Sequence, residues 1–296
     1  MEKVEKIKVE MINNYFCFLL GIVFLILKRI KHFSQGYTSP APFSIENMDQ
    51  SIQYDIKVVD SWLNQLKKYE GQNFTLEGKN ILELGPGNDL GTGVLLLLKG
   101  AENYKAIDVY NLVEKAPDKL YKKLIKKSST SSNVEKELDM IFENIDFKFN
   151  DDFDLSVFDK DSIDIVFSQA AFEHFDDVKK TISQLSEVVK PEGKLITEID
   201  LQTHGQPLRD MDPLNIYRYS ESLYDVLKTK SFHNRVHIED YKKILESEGW
   251  ENVKIKPVRK IDDKYYNHIK SHLALKYQGY GEDMKSLSMV ICATKK

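Results

Sequence analysis

The sequence predicts an α/β fold built on a doubly wound, mainly parallel sheet, and three observations carry that prediction. From Gly78 onward the pattern runs strand (NILEL), helix (GTGVLLLLKGA) and strand (YKAID), the alternation that builds parallel sheets through crossover helices. A glycine-rich turn containing Gly85, Gly87 and Gly91 follows the first of these strands, at the carboxyl end where open sheets hold their ligands. Two apolar segments near the end of the chain, NVKIKPV and SLSMVICAT, read as strands that pair as an antiparallel edge.

The remaining elements follow in chain order. Tyr15 to Leu27 is an unbroken apolar run of 13 residues, followed by Lys28, Arg29 and Lys31. A helix of that length covers roughly 20 Å, short of a hydrocarbon layer of roughly 30 Å. Residues 1–33 are therefore read as an N-terminal hydrophobic helix and candidate membrane anchor, making its contact through residues 11–31. The competing reading is a helix packed on the domain or on a second subunit. The basic flank would keep the catalytic domain cytoplasmic, and no small-residue cleavage site follows. Residues 34–57 open on the Ser-, Pro- and Gly-rich stretch SQGYTSPAPFSIEN and are expected to be a linker, which leaves 58–296 as one domain. Within it, Val58, Val59, Trp62, Leu63 and Leu66 recur at helical spacing.

Later strands are expected at 146–149 (DFKF), 163–168 (IDIVFS) and 194–200 (KLITEID). Between the last two, Val178, Ile182, Leu185 and Val189 share one helix face, which ends before Pro191 and Gly193. Two regions interrupt the plan. Lys115 to Glu143, with the polar run KKSSTSSN, reads as an insertion with a mobile tip, and Gln202 to Val236 reads as an irregular excursion of the kind that forms substrate lids.

Composition narrows the function classes. With 46 acidic and 42 basic side chains the formal net charge is -4, so no global basic field holds a phosphate backbone and a nucleic-acid partner is disfavoured. Cys17 and Cys292 lie at opposite ends of the chain and suggest neither a disulfide framework nor a zinc site, and no metal site is expected.

Chemistry concentrates in Ile81 to Gly93, ILELGPGNDLGTG. Gly85 and Gly87 permit a tight turn and close approach of a ligand to the backbone, a property that suits a dinucleotide equally well. Glu83, two residues before the first glycine, is read as a carboxylate able to attract the amino and sulfonium charges of S-adenosylmethionine, whereas a pyrophosphate would be repelled. Asp108 ends the next strand and is placed for ribose hydroxyls, without distinguishing the two cofactors.

From about Gly78 to Thr294 the chain resembles the class I S-adenosylmethionine-dependent methyltransferases. Four ordered blocks carry the likeness: LELGPG, Asp108, NDDFDLSVFDKDSIDIVFSQAAFEHF and LSEVVKPEGKLITEID. The resemblance implies a Rossmann-like, seven-stranded sheet and the cofactor S-adenosyl-L-methionine. It also implies cofactor contacts by Glu83, Gly85, Pro86, Gly87 and Asp108, with Asp152 and Phe153 at the adenine and Gln169 after the fourth strand. The segments LGPGNDLGTG, IDLQTHG, LNIYRYS and NRVHIEDYKKILESEGW are similar to methyltransferases found among sugar and cell-surface biosynthesis genes. Where that group carries an Asp-His-Phe triplet, this chain has Thr203, His204 and Gly205.

His174 and His204 are the candidate general bases, each weighed against a structural role; Asp200 shares the strand end with His204. His233, Asn234 and Arg235 are read either as contacts for an anionic acceptor or as a salt-bridged turn. The Tyr and His residues of KYYNHIKSHLALKYQGY lack metal-ligand spacing and read as an amphipathic surface. The expected activity is methyl transfer to an oxygen or nitrogen of a small-molecule, sugar or lipid-linked acceptor. The alternatives are an NAD(P)-dependent oxidoreductase and a non-catalytic, membrane-tethered protein of the same fold.

Overall fold

The structure is a computed structural model that describes residues 4–35, 43–130 and 132–296. Its strands are β1 (Glu5–Ile7), β2 (Asn80–Leu84), β3 (Asn103–Asp108), β4 (Ile145–Phe149), β5 (Ile163–Gln169), β6 (Val189–Asp200), β7 (Trp250–Ile261) and β8 (Ser286–Lys295). They form one sheet in the order β1-β7-β8-β6-β5-β2-β3-β4. Among the described strands only β8 runs against its neighbours, between β6 and β7, so the C-terminal strands make the expected antiparallel pair. The expected count of seven strands becomes eight, because the short β1 adds parallel to β7 outside the pair.

Helices cover both faces. They are α1 (Asn14–Gln35), α2 (Met48–Glu70), α3 (Gly91–Leu98), α4 (Asp118–Ser128), α5 (Val134–Phe142), α6 (Val178–Val188), α7 (Leu208–Met211), α8 (Glu221–Leu227), α9 (Ile238–Ser247), α10 (Asp263–Ile269) and α11 (Leu275–Gln278). The period of two along each strand sends alternate residues to opposite cores. Ile81, Ile165 and Phe167 meet α2 to α5, where Trp62 stacks on Phe167 at 4.9 Å. Leu82, Leu84 and Val166 meet α6 and α9.

Several expectations change at this level. Residues 48–57 are not linker: α2 begins at Met48, and Met48 and Ile52 are buried in the core. The rest of the expected linker includes residues 36–42, which lie outside the described residues. The insertion after β3 supplies α4 and α5, whose Leu120, Leu124, Leu138 and Ile141 pack on the sheet as a crossover does. The expected mobile tip includes Ser131, which is outside the described residues.

A third core joins α1 to the excursion and to the tyrosine-rich segment. Leu25 packs there with Leu214, Tyr217, Tyr219, Tyr265, Tyr266 and Tyr277. The tyrosines are thus interior, not an amphipathic surface, because α1 and the excursion cover them. The excursion itself is a packed cap, with Asp212 and Arg218 paired at 2.7 Å in its interior.

The N-terminal helix is corrected in the same way. No helix among the described residues is long and apolar enough to cross a membrane. One face of α1 is docked on the domain instead. Asn215 Nδ2 donates to Cys17 O at 2.8 Å, Tyr219 OH to Phe18 O at 3.2 Å, and Lys28 Nζ to His204 O at 2.7 Å. Close approach requires Gly21, where a Cβ would stand 1.9 Å from Tyr219 OH.

Candidate functional site

A cavity of about 840 Å³ opens at the carboxyl ends of β5, β2, β3 and β4. The chain order reverses there, the topological switch point at which open α/β sheets bind ligands. Each strand contributes the loop that follows it: Gly85 to Asp89, Asp108 to Tyr110, Asp151 to Asp154 and Gln169 to Ala171. The volume lies within the range of small-molecule and cofactor sites.

The glycine turn is held by the strand beside it. Gly85 and Gly87 have φ of +72° and +82°, the left-handed region where a side chain is strained. At Gly85 a Cβ would also lie 2.7 Å from the Cβ of Ala171. Gly87 N donates to Asp108 Oδ2 at 3.1 Å, and Tyr110 N donates to Asp108 Oδ1 at 3.0 Å. Burial nonetheless pushes the Asp108 carboxyl up to about 6, against the pull of those amides.

Glu83 is not where the sequence reading put it. Its side chain does not line the cavity. It lies beneath α3, where one carboxylate oxygen accepts from Thr92 Oγ1 at 2.5 Å and from Tyr104 OH at 2.6 Å. Burial raises its pKa to about 7, while the two hydroxyls oppose the rise. The alternation of β2 explains the placement: Glu83 shares the sheet face of Ile81 and therefore points into the helical layer, not off the strand end. It braces the loop from behind.

The carboxylates that do face the cavity include two that the sequence reading passed over. Asp55 of α2 and Asp89 of the glycine loop are both buried at its wall. Burial and mutual repulsion raise Asp55. Its Oδ2 has no hydrogen-bond partner. A signal existed in the sequence: Asp55 sits on the stripe Ile52, Val59, Trp62 and Leu66, a charge at a core position of an amphipathic helix.

The other expected residues divide. Pro86, Asp152, Phe153 and Gln169 line the cavity with Gly85, Gly87 and Asp108. Asp152 stands at the open rim with Lys230 Nζ 3.7 Å away. The Phe153 ring packs on Phe175 at 4.7 Å. Gln169 Oε1 is buried without a partner. His174 also lines the cavity, with Nδ1 3.0 Å from Ser231 O. Burial drives its pKa down to about 3, with His204 adding to the fall.

His204 does not line the cavity; it stacks behind His174, ring centroids 4.9 Å apart, with Nε2 3.6 Å from Asp200 Oδ2. The expected anion contact at residues 233–235 is a buried turn. Arg235 pairs with Glu221 at 2.9 Å, lies 3.7 Å over the Tyr224 ring, and donates to two backbone carbonyls. Asn234 donates to Phe172 O and Phe175 O, fixing the His174 loop.

Residues 82–197, 116 of the 296, match the family model of a methyltransferase domain. The chain carries a methyltransferase domain. It is of the class I, S-adenosylmethionine-dependent type. A comparison with curated proteins finds no match. Among solved structures, the chain is similar to a phosphoethanolamine N-methyltransferase 2 of Haemonchus contortus in complex with S-adenosyl-L-methionine. Identity is 16% and the TM-score 0.47, over 93% of this chain and 57% of that one. It is also similar to a putative sarcosine dimethylglycine methyltransferase of Galdieria sulphuraria, at 15% identity and TM-score 0.47, over 91% and 98% of the two chains. A geranyl diphosphate C-methyltransferase of Streptomyces coelicolor A3(2) follows at 12% identity and TM-score 0.45, over 84% and 79%. This chain spans 57% and 60% of the two Haemonchus contortus structures it matches. At such values no substrate or site residue carries across.

The methyltransferase domain fits its cofactor on its own chemistry. Eight aspartates line the cavity (55, 89, 108, 151, 152, 154, 176 and 177), against Lys180 and Lys230. Burial favours the protonated form of Asp55, and the remaining carboxylates still outnumber the two lysines, a field that favours a ligand bearing sulfonium and ammonium charges and opposes a pyrophosphate. The carboxylates placed to favour such a ligand are those of the cavity wall, and Glu83 is not among them.

Proposed function

We propose that this chain transfers the methyl group of S-adenosylmethionine to an oxygen or nitrogen of a small-molecule acceptor. The observation that carries the reading is the acidic cavity at the switch point of the sheet. Its aspartates outnumber its lysines eight to two beside a glycine turn that only backbone can line closely.

Bound there, S-adenosylmethionine supplies a methyl on a sulfonium, a leaving group already activated. The chain's work is then positioning and exclusion of water. Gly85 and Gly87 admit the cofactor against the backbone, Asp108 accepts from ribose hydroxyls, and Phe153 with Asp152 borders the adenine. Asp55 and Asp89 face the amino-acid end. The Nδ1–H of His174 donates to Ser231 O, which leaves Nε2 as the ring's acceptor, able to orient an acceptor hydroxyl or amine.

Calorimetric titration with S-adenosylmethionine, and separately with NAD and NADP, tests the reading. Saturable binding of the first alone is expected; binding of a nicotinamide nucleotide alone overturns it in favour of an oxidoreductase. Incubating extract with labelled cofactor and separating small-molecule, glycan and lipid fractions identifies the acceptor. Binding without label transfer to any fraction would favour a non-catalytic protein.

The finer reading is a sugar or lipid-linked acceptor met at a membrane surface. The outer face of α1 supports it: Phe16, Leu19, Val23, Ile30 and Phe33 are exposed, beside Arg29 and Lys31. Flotation with anionic vesicles is expected to carry the full chain but not a variant with Leu19, Val23 and Ile30 changed to Ser. Equal flotation of both removes this refinement alone.

A further inference from the structure

Behind the cavity wall, Glu173 and His174, which follow β5, meet His204, which follows β6. One donor atom from each lies within 4.8 Å of the others. We propose that these three side chains bind a first-row divalent transition metal, with zinc as the representative ion.

Glu173 is the strongest reason. It is fully buried, yet neither carboxylate oxygen receives a well-formed hydrogen bond. Burial and the Asp200 carboxylate favour its protonated form, and the backbone amides of Glu173 and Asp200 oppose them without reaching hydrogen-bond geometry. A buried, unpartnered carboxylate is costly, and native structures retain one where it meets a cation or keeps a proton. His204 Nε2 makes no hydrogen bond and has only the 3.6 Å approach of Asp200 Oδ2, which would serve as an outer-shell partner. His174 is set up as a ligand of the usual kind. Its Nδ1–H is taken by Ser231 O, so the free lone pair lies on Nε2, and such outer-shell bonds orient metal-bound imidazoles.

The local charge does not oppose a cation. Glu173 and Asp200 stand near Arg209, whose Nη1 is 2.7 Å from Asp200 Oδ2, and Lys28, whose Nζ is 2.7 Å from His204 O, so two carboxylates offset the two cations and leave no net positive charge against a metal ion. Two imidazoles and one carboxylate suit zinc, manganese or ferrous iron better than magnesium or calcium, which prefer all-oxygen shells. Metal bonds of about 2.0–2.2 Å put ligand atoms about 3–3.5 Å apart, so the three donors must draw together by about 1.5 Å. His204, on the loop that includes Gly205 at φ +115°, is the partner able to move. Because His174 lines the cavity, a metal held on its Nε2 would replace that nitrogen as the group able to meet an acceptor oxygen there. That consequence rests on the methyl-transfer reading, whereas the binding itself does not.

The test is calorimetry with Zn²⁺ and absorption spectroscopy with Co²⁺ on the full chain, without cofactor. One equivalent per chain is expected, with Co²⁺ ligand-field bands. Glu173→Gln, which removes an unpartnered charge and should fold at least as well as wild type, and His174→Gln are each expected to weaken Zn²⁺ binding by roughly 100-fold. No stoichiometric uptake by wild type, or wild-type affinity in both variants, overturns the proposal. Titrating S-adenosylmethionine into the same samples reads the methyltransferase assignment separately, so either can fail alone.

Discussion

Replacing Glu83 by Gln separates bracing of the loop from contact with the cofactor. Both hydroxyl donors, Thr92 and Tyr104, reach a single oxygen of the carboxylate, at 2.5 and 2.6 Å. A side-chain amide carbonyl can accept both, so Glu83→Gln keeps the geometry and removes the titration. In the wild type, burial raises the folded-state pKa from 4.5 to about 7. The folded protein therefore holds a proton that the unfolded chain has lost within that window. The group's contribution to stability falls as pH rises from 4.5 to about 7, and is level below and above it. At about 1.4 kcal/mol per pH unit the full difference is about 3 kcal/mol, of which about 2.5 kcal/mol falls between about pH 5 and pH 8. Urea unfolding of both proteins at those two pH values measures it. The difference in unfolding free energy should move in favour of Glu83→Gln by about that amount at the higher pH. The two proteins should also bind S-adenosylmethionine within about threefold of each other, less than 1 kcal/mol. Parallel stability profiles would refute the buried titration. A tenfold loss of affinity would return Glu83 to the cofactor.

Asp108→Asn should weaken S-adenosylmethionine binding by roughly 10- to 100-fold, the worth of one or two charge-assisted hydrogen bonds, and calorimetry reads it directly. The same assay on wild type should show affinity falling as pH drops through about 6, where Asp108 protonates; a flat profile would separate this carboxylate from the ribose. Gly91→Ala brings a Cβ to 2.1 Å from Asp55 Oδ2. It should cost about 1–3 kcal/mol in urea unfolding by forcing the buried aspartate pair apart, and an unchanged midpoint would show that the pair yields freely. Gly21→Ala meets Tyr219 OH and Asn215 Oδ1 at 1.9 and 2.0 Å. Loosened α1 should then be cut faster by trypsin at Lys28, whose amine is tied to His204 O; unchanged cleavage would mean the helix shifts without undocking.

The parts of the fold legible in the sequence are those set by short-range pattern. Period two in NILEL and IDIVFSQ, period 3.6 in α6 and α9, and the glycine turn between β2 and α3 each act within a few residues. The same alternation, applied one residue further, would have turned Glu83 under the helix. The Ile52, Asp55, Val59 stripe would likewise have extended α2 and found a buried carboxylate. Hydrophobicity alone left α1 open between lipid and protein and misplaced the tyrosines near 265–280. An apolar helix reads alike whether lipid or protein covers it, and only the third core shows which face is covered.

The sequence by itself determined a mainly parallel α/β sheet and a glycine-rich loop at the carboxyl end of its first long strand, because hydrogen-bonded turns and side-chain periods are local. The tertiary structure alone decided which charges face the ligand. The order β6-β5-β2-β3 sets chain-distant strands side by side. Their end loops and α2 therefore gather aspartates 55, 89, 108 and 152 around one cavity, and bring Glu173 and His204 behind the His174 that lines it. No spacing along the chain encodes that convergence; it arises from crossover connections that return each strand to a neighbour distant in sequence.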